Sequence, residues 1–120
     1  MIDNEIAFRK WCAEQVGHKN IRWNDSKRRW EGIHPIHLDY RKVEMKLTLD
    51  HLESVRKVVE KKYEFLVKGS YNNDLVHIEY HSWDGDKFNR IANATCKDHL
   101  RCWTEALKQV WQWTLKQEGL

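Results

Sequence analysis

The sequence contains little proline, glycine or cysteine, and each shortage argues against a class of protein. One proline and five glycines in 120 residues provide no glycine-rich loop in which backbone N–H groups would cradle a phosphate. Three cysteines cannot form an even set of pairs, so we predict a reduced, cytoplasmic protein rather than a disulfide-bonded one. No apolar run approaches the length of a membrane span, and residues 1–10 lack the apolar core of a signal peptide.

The sequence also carries little net charge. The 21 Lys and Arg residues interleave with 18 Asp and Glu residues, and the formal net charge is only +3. Proteins that bind duplex nucleic acid usually present a more basic surface, so we expect no duplex partner. The small positive charge suits a protein that holds a few phosphates in one place. Length and composition together predict one globular domain, residues 1–120.

Tryptophan is abundant, with seven residues, and two of them mark the strongest helical pattern in the chain. Within residues 97–116, apolar side chains recur every three or four positions, which places them on one face of a helix. Such an apolar face must be covered, and we predict that it packs onto a β-sheet. The side chains expected in that contact are Leu100, Trp103, Leu107 and Trp111.

The predicted sheet comes from three segments that precede this helix. Residues 75–83 alternate apolar and polar side chains, which is typical of a strand with one buried face. Asp84-Gly85 is a hairpin turn signal, since this dipeptide tolerates the positive φ values that such turns need. Residues 64–69 and 87–95 then supply the neighbouring antiparallel strands.

Two further helices are predicted before the sheet. Residues 3–16 begin at the potential cap Asp3, and residues 47–62 carry an apolar stripe every three or four positions. Residues 20–35 mix turn formers, basic residues and two tryptophans, which predicts an irregular loop or, alternatively, a binding arm. The predicted fold class is therefore α+β, with a small antiparallel sheet sandwiched between helices in the order helix, loop, helix, strands, helix.

Three residues near the last helix have the types found in zinc sites: Cys96, His99 and Cys102. On one continuous helix, however, residues three apart are neighbours, whereas residues six apart diverge around the axis. We therefore expect no metal site, and we interpret Cys96 and Cys102 as small residues of the core.

A catalytic interpretation is open to His34, His37 and Asp39, whose side chains serve as acids and bases in enzymes. No Ser or Cys nucleophile stands in a recognisable elbow, however. Residues 81–90 also lack the ligand spacing of a His-centred ββα nuclease. We therefore predict that the protein is not an enzyme and needs no cofactor.

The polar side of the strand 75–83 offers a candidate ligand site. Side chains at positions 77, 79, 81 and 83 point away from its apolar side. Either they pack under a helix or face water, or they line a shallow pocket in which Trp83 stacks on a base. Asn93 in the return strand would then lie near a base edge. The arginines expected to neutralise phosphate are Arg90, Arg101 and Arg56.

Three segments together resemble the phage ABA-sandwich family, small proteins of tailed phages. The opening helix of that family is similar to FRKWCAEQVGH at 8–18, and its second helix is similar to TLDHLESVRKVVEKKYEF at 48–65. Its closing strand and helix are similar to ANATCKDHLRCWTEAL at 92–107. The likeness is one of order and pattern, and none of the three motifs is catalytic.

One branch of this family, similar in length and layout, comprises the phage anti-Thoeris sponges. These proteins bind cyclic ADP-ribose isomers made by the host defence, and other members bind the cyclic oligonucleotides of CBASS. The resemblance implies an assembly of dimers that holds its ligand near subunit boundaries through an aromatic residue, an Asn and arginines. Trp83 and Asn93 are the candidates for the first two roles. The first helix and the tryptophan-rich segment 20–35 also offer more apolar surface than one small core absorbs, which predicts a homo-oligomer.

The expected function is therefore a phage-encoded sponge that sequesters a cyclic nucleotide immune signal in the host cytoplasm without cleaving it. Two alternatives stay open. The protein could instead bind and inhibit a host defence enzyme, as an anti-CRISPR does. It could also be a phage structural or accessory protein with no small ligand.

Overall fold

The computed structural model describes residues 4–119, which form three helices and two antiparallel sheets of three strands each. Helices stand first and last among these elements, and the predicted α+β fold class is confirmed. The predicted cap Asp3 lies outside the described residues. In chain order the elements are α1 (Asn4–Gln15), β1 (Lys19–Asn24), β2 (Arg29–Ile33), β3 (Tyr40–Lys42), α2 (Leu49–Tyr63), β4 (Leu66–Asn72), β5 (Leu75–Trp83), β6 (Phe88–Cys96) and α3 (His99–Gln117).

The chain divides into two compact units, Met1–Val55 and Arg56–Leu120. The first unit contains α1 and the sheet β1-β2-β3, and the second contains the sheet β4-β5-β6 and α3. The division falls inside α2, so each unit includes part of that helix. That residues 1–120 act as a single domain stays a prediction.

Residues 20–35 do not form the predicted irregular loop, because they contain most of an antiparallel β1-β2 hairpin. Trp23 pairs with Trp30 across the hairpin, and their rings meet edge to face with centroids 5.6 Å apart. The side-chain oxygen of Asn24 accepts the backbone N–H of Lys27 at 3.0 Å, which closes the turn. The turn formers thus occupy the end of a hairpin. Its strands, of six and five residues, are too short for their alternation to stand out in the sequence.

The core of the first unit joins α1 to the inner side of its sheet. Gly32 is required there, because a Cβ at this position would lie 3.0 Å from the backbone oxygen of Lys19. It would also lie 3.1 Å from side-chain atoms of Ile21 and of Val43. The cluster comprises the buried residues Ala13, Ile21 and Val43 and the partly buried Trp30 and Met45.

The core face of the second sheet follows the alternation predicted for β5. Val76, Ile78 and Tyr80 are buried, as expected for every second residue of a strand. Ala92 and Ala94 lie opposite Tyr80 and Ile78 in β6 and are buried too. These alanines leave room for a helix to approach the sheet closely, and α3 packs on this side.

Small residues of α3 lie at the centre of its contact with the sheet. The thiol of Cys102 donates to the backbone oxygens of Val76 and Ala94, with Sγ–O distances of 3.3 and 3.4 Å. Ala106, one turn further on, is also fully buried. Of the four residues predicted to pack on the sheet, Leu107 and Trp111 are buried as expected, whereas Leu100 and Trp103 are only partly buried.

The first turn of α3 is capped from the preceding residue. The carboxylate of Asp98 accepts the backbone N–H of Arg101 at 2.9 Å, which satisfies one of the helix's free donors. The helix then runs for 19 residues with one buried and one exposed side. Among residues 4–119, no helix is both long and apolar enough to cross a membrane.

Candidate ligand-binding sites

The side of the second sheet opposite α3 presents mainly polar side chains, and we call it the polar face. Paired residues on neighbouring strands point to the same side of a sheet. The partner of Tyr80 is Ala92, whereas the partner of His81 is Arg90. The extra residue in β6 forms a β-bulge, which brings Arg90 and Asn93, three positions apart, to one side. The polar face comprises Leu66, Lys68, Ser70, Asn72, Leu75, His77, Glu79, His81, Trp83, Phe88, Arg90, Asn93 and Thr95.

A carboxylate between two imidazoles occupies the middle of the polar face. Glu79 Oε2 lies 2.7 Å from Nε2 of His77, and Glu79 Oε1 lies 3.0 Å from Nε2 of His81. When His77 is neutral, its Nε2–H donates to Glu79, and its Nδ1 accepts the hydroxyl of Thr95 at 2.7 Å. The hydrogen bonds from His77 and His81 hold the pKa of Glu79 below its usual value. Glu79 is therefore ionised at neutral pH, and both of its oxygens are engaged.

Two aromatic rings stand at the end of the polar face. The Trp83 side chain is 53% exposed and Phe88 is 45% exposed, and their ring centroids lie 5.0 Å apart. The hairpin turn beyond them is held by Asp84, whose carboxylate accepts the backbone N–H of Lys87 at 2.9 Å and the side-chain amide of Asn89 at 2.6 Å. These bonds lower the pKa of Asp84. The turn therefore holds Trp83 in place while leaving its indole accessible to a flat ligand.

Three of the five predicted site residues share the polar face: Trp83, Arg90 and Asn93. Asn93 lies opposite Glu79, and its backbone is engaged by α3, because its N–H donates to Gln109 Oε1 at 2.8 Å. Its carbonyl accepts the Gln109 amide at 2.6 Å. The exposed side chain of Asn93 is thus the part that can meet a ligand.

The structure does not bring Arg56 and Arg101 to the polar face. Arg56 lies against the ring of Trp103, and Trp103 in turn contacts the ring of Tyr80, which belongs to the core face of the sheet. Arg101 lies in the first turn of α3, the helix that covers the same core face. Their separation from Trp83 follows from which side of the sheet the helices cover, and strand alternation alone does not reveal it.

The prediction that Cys96 and Cys102 are small core residues is confirmed for Cys102 and wrong for Cys96. Cys102 is fully buried, and burial raises the pKa of its thiol to about 11. Cys96 is only partly buried, because it is the last residue of β6 and lies at the end of the sheet. Within residues 4–119, no group of three or more His, Cys, Asp or Glu side chains is placed to hold a metal ion.

The first unit contains a cleft of about 330 Å³ that the sequence did not reveal. Its walls come from α1 and the residues just after it, from His34 after β2, from the end of β3 and the chain that follows it, and from the start of α2. We call it the basic cleft, because its charged residues are mostly cationic. The basic cleft is lined by Arg9, Cys12, Ala13, Val16, His18, His34, Lys42, Glu44, Lys46, Leu47, His51, Ser54 and Val55.

Backbone contacts orient several of the cationic and imidazole side chains of the basic cleft. Arg9 Nη1 donates to the carbonyl of Met45 at 2.8 Å. Nδ1 of His51 donates to the carbonyl of Lys46 at 3.0 Å, which leaves Nε2 as the ring nitrogen that can meet a ligand. In contrast, Nδ1 of His34 accepts two backbone N–H groups at 3.1 and 3.2 Å. Neutral His34 therefore carries its proton on Nε2 and acts there as a donor.

The polar face and the basic cleft offer different chemistry to a ligand. The polar face combines an accessible indole with an amide and a guanidinium at Trp83, Asn93 and Arg90. The basic cleft surrounds a volume of about 330 Å³ with several cationic side chains. Comparisons of the chain with models of known protein families, with curated proteins and with solved structures found no match.

Proposed function

We propose that the protein binds a cyclic nucleotide immune signal on its polar face and sequesters it without cleaving it. This is the action of a phage anti-defence sponge in the host cytoplasm, with a cyclic ADP-ribose isomer or a cyclic oligonucleotide as ligand. The observation that carries the proposal is the β-bulge of β6, which places Arg90 and Asn93 on the same face as the accessible indole of Trp83.

Each of these three side chains supplies a different contact. The Trp83 indole stacks on a base, a contact worth about 1–3 kcal/mol. The planar guanidinium of Arg90 pairs with a phosphate through two parallel N–H bonds. The amide of Asn93 donates and accepts hydrogen bonds at a base edge or a ribose. Together they match the mixed flat and anionic character of a cyclic nucleotide.

The polar face of one subunit carries cations for one phosphate group, whereas a cyclic ADP-ribose isomer or a cyclic oligonucleotide carries at least two. Lys68 is the cross-strand neighbour of Glu79, and Arg90 is that of His81. Since Glu79 is engaged by its two histidines, Lys68 and Arg90 are the cations that a phosphate would meet. A ligand with two phosphates would need cations from a second subunit, and a homo-oligomer provides them.

The decisive experiment identifies what the protein retains. The purified chain is incubated with a panel of cyclic nucleotides and with signals extracted from defence-active cells, washed, and heated, and the supernatant is analysed by mass spectrometry. A sponge returns an intact cyclic nucleotide, whereas an enzyme returns a converted product. Release of no nucleotide from any sample would contradict the proposal.

A second candidate function, inhibition of a host protein by direct binding, is favoured by an apolar loop in the first unit. Between β2 and β3, Ile36 and Leu38 are 79% and 75% exposed, and Tyr40 at the start of β3 is 51% exposed. Exposed apolar groups of this kind are typical of protein contact sites. If the protein inhibits a host protein by direct binding, the double variant Ile36→Ser/Leu38→Ser abolishes inhibition of the defence. Trp83→Ala then has no effect on that inhibition.

A further inference from the structure

We propose that the basic cleft is a second binding site, which holds the phosphate group of a small anion. It is made of residues other than those of the polar face, and the inference does not depend on the function proposed above. The ligand class is a small phosphorylated metabolite, or inorganic phosphate itself.

The first support is the charge of the lining residues. Arg9, Lys42 and Lys46 are the basic residues among those that line the cleft, and Glu44 is the acidic one. Glu44 Oε1 accepts the backbone N–H of Lys46 at 3.0 Å. Outside the lining, Glu5 lies 3.2 Å from Nε of Arg9, but both side chains are too exposed for this pair to be strong. An excess of positive charge therefore faces the cleft, and a dianionic phosphate would offset it.

The second support is the orientation of the donors. The Arg9 guanidinium has five N–H donors, and its contacts with Met45 and Glu5 involve Nη1 and Nε. Since the Met45 carbonyl holds the guanidinium in place, a phosphate meets a preorganised donor rather than a freely rotating one. Neutral His34, which also lines the cleft, carries an N–H donor on Nε2.

The third support is the size and the mixed character of the walls. A volume of about 330 Å³ lies at the lower end of the range for small-molecule sites. It accommodates a phosphate with a modest organic group and excludes a folded macromolecule. Apolar side chains provide a surface for that organic group: Ala13, Val16, Leu47 and Val55.

The chemistry of the cleft favours binding over catalysis. Cys12 is the thiol in its wall, and burial raises the pKa of this group to about 12. The thiol therefore stays protonated at neutral pH and is a poor nucleophile. A phosphorylated ligand is accordingly expected to leave the cleft unchanged.

The test is titration calorimetry, at low salt, of the full chain carrying Trp83→Ala, which removes the base-stacking ring of the polar face. The titrants are inorganic phosphate, adenosine 5′-monophosphate and uncharged adenosine. The proposal expects heat with the two anions and none with adenosine. Tighter binding of the nucleotide assigns part of the affinity to the apolar wall, and equal binding identifies free phosphate as sufficient. No heat with either anion at millimolar concentration would overturn the proposal.

Three lysine variants and one variant of the polar face locate the anion. Lys42→Gln and Lys46→Gln change exposed side chains, so both should fold, and each is expected to weaken phosphate binding about tenfold. Lys19→Gln removes the same charge from an exposed position of β1 outside the cleft and should bind as the parent does. Equal weakening by all three, or no weakening by the first two, would overturn the assignment. Arg90→Gln is expected to keep phosphate binding, and loss of binding in this variant would place the anion on the polar face instead.

Discussion

The guanidinium carbon of Arg56 lies 3.4 Å from the centroid of the Trp103 ring. Arg56 Nε also pairs with Oε2 of Glu60 at 3.0 Å, and the same oxygen accepts the hydroxyl of Tyr80 at 3.1 Å. A cation over an indole is attracted by the negative face of the ring. These four side chains therefore connect α2, α3 and β5 within the second unit, and Arg56 acts there as a structural cation rather than as a ligand-binding one.

We expect the cation–π contact between Arg56 and Trp103 to give a measurable coupling energy in the free energy of unfolding. Trp103→Ala should destabilise the protein by about 3 kcal/mol, since the ring is large but only partly buried. Arg56→Met should cost less, because methionine keeps part of the packing against the ring. In a double-mutant cycle measured by urea unfolding, the two changes should couple by about 0.5–1 kcal/mol. Strictly additive effects would contradict the cation–π contact.

Ligand binding on the polar face is tested with two tryptophans of similar exposure. Trp83 is 53% exposed and Trp23 is 49% exposed, and each contacts one other aromatic ring. Trp83→Ala should weaken binding of the retained cyclic nucleotide about tenfold or more, because base stacking is lost. Trp23→Ala should leave the affinity unchanged in the same calorimetric titration. Unchanged affinity in Trp83→Ala would remove the polar face from consideration.

Glu79 should contribute to stability in a pH-dependent way. Its pKa is lowered in the folded state by hydrogen bonds from His77 and His81, so folding favours the ionised carboxylate. The contribution is present above the pKa of the unfolded chain and is lost as the pH falls through the lower folded value. The stability difference between the parent and Glu79→Gln should therefore shrink as the pH is lowered from about 6 to about 3. If urea unfolding gives the same stability difference between the two proteins across this pH range, the hydrogen bonds of Glu79 with His77 and His81 are contradicted.

Two glycines in strands should respond differently to the same substitution. Gly32→Ala should destabilise the protein by about 1–3 kcal/mol, because the new Cβ would crowd backbone and side-chain atoms at 3.0–3.1 Å. Gly69→Ala serves as the control, since its nearest neighbour would be the backbone oxygen of His77 at 4.0 Å. Thermal unfolding of both variants distinguishes them. Equal melting temperatures would contradict the packing of the first unit.

The apolar surface of the first unit leads us to expect a homo-oligomer. Ile6 of α1 and Trp23 of β1 are exposed, together with the apolar loop at Ile36 and Leu38. Association would remove part of this surface from water. Multi-angle light scattering should give a mass that is a multiple of 14.6 kDa. A monomer mass across a wide concentration range would rule out the assembly.

Local periodicity in the sequence was sufficient to predict the fold class and the second sheet. The alternation at Val76, Ile78 and Tyr80 and the turn at Asp84-Gly85 are properties of neighbouring residues, and the structure bears them out. The helical spacing of residues 97–116 likewise predicted α3, whose observed limits are His99 and Gln117. The short hairpin β1-β2 gave no comparable signal, since its turn residues dominate the composition of the segment.

The positions of the candidate sites depended instead on contacts between distant segments. A single bulge in β6 decides that Arg90 lies on the same face as Asn93, and strand alternation alone would have separated them. The side of the sheet that α3 covers decides that Arg101 is remote from Trp83. The basic cleft joins residues from α1, the segment before α2 and α2 itself. The sequence alone determined the helices and the second sheet, because their patterns are local, whereas only the tertiary structure decided which charged side chains meet.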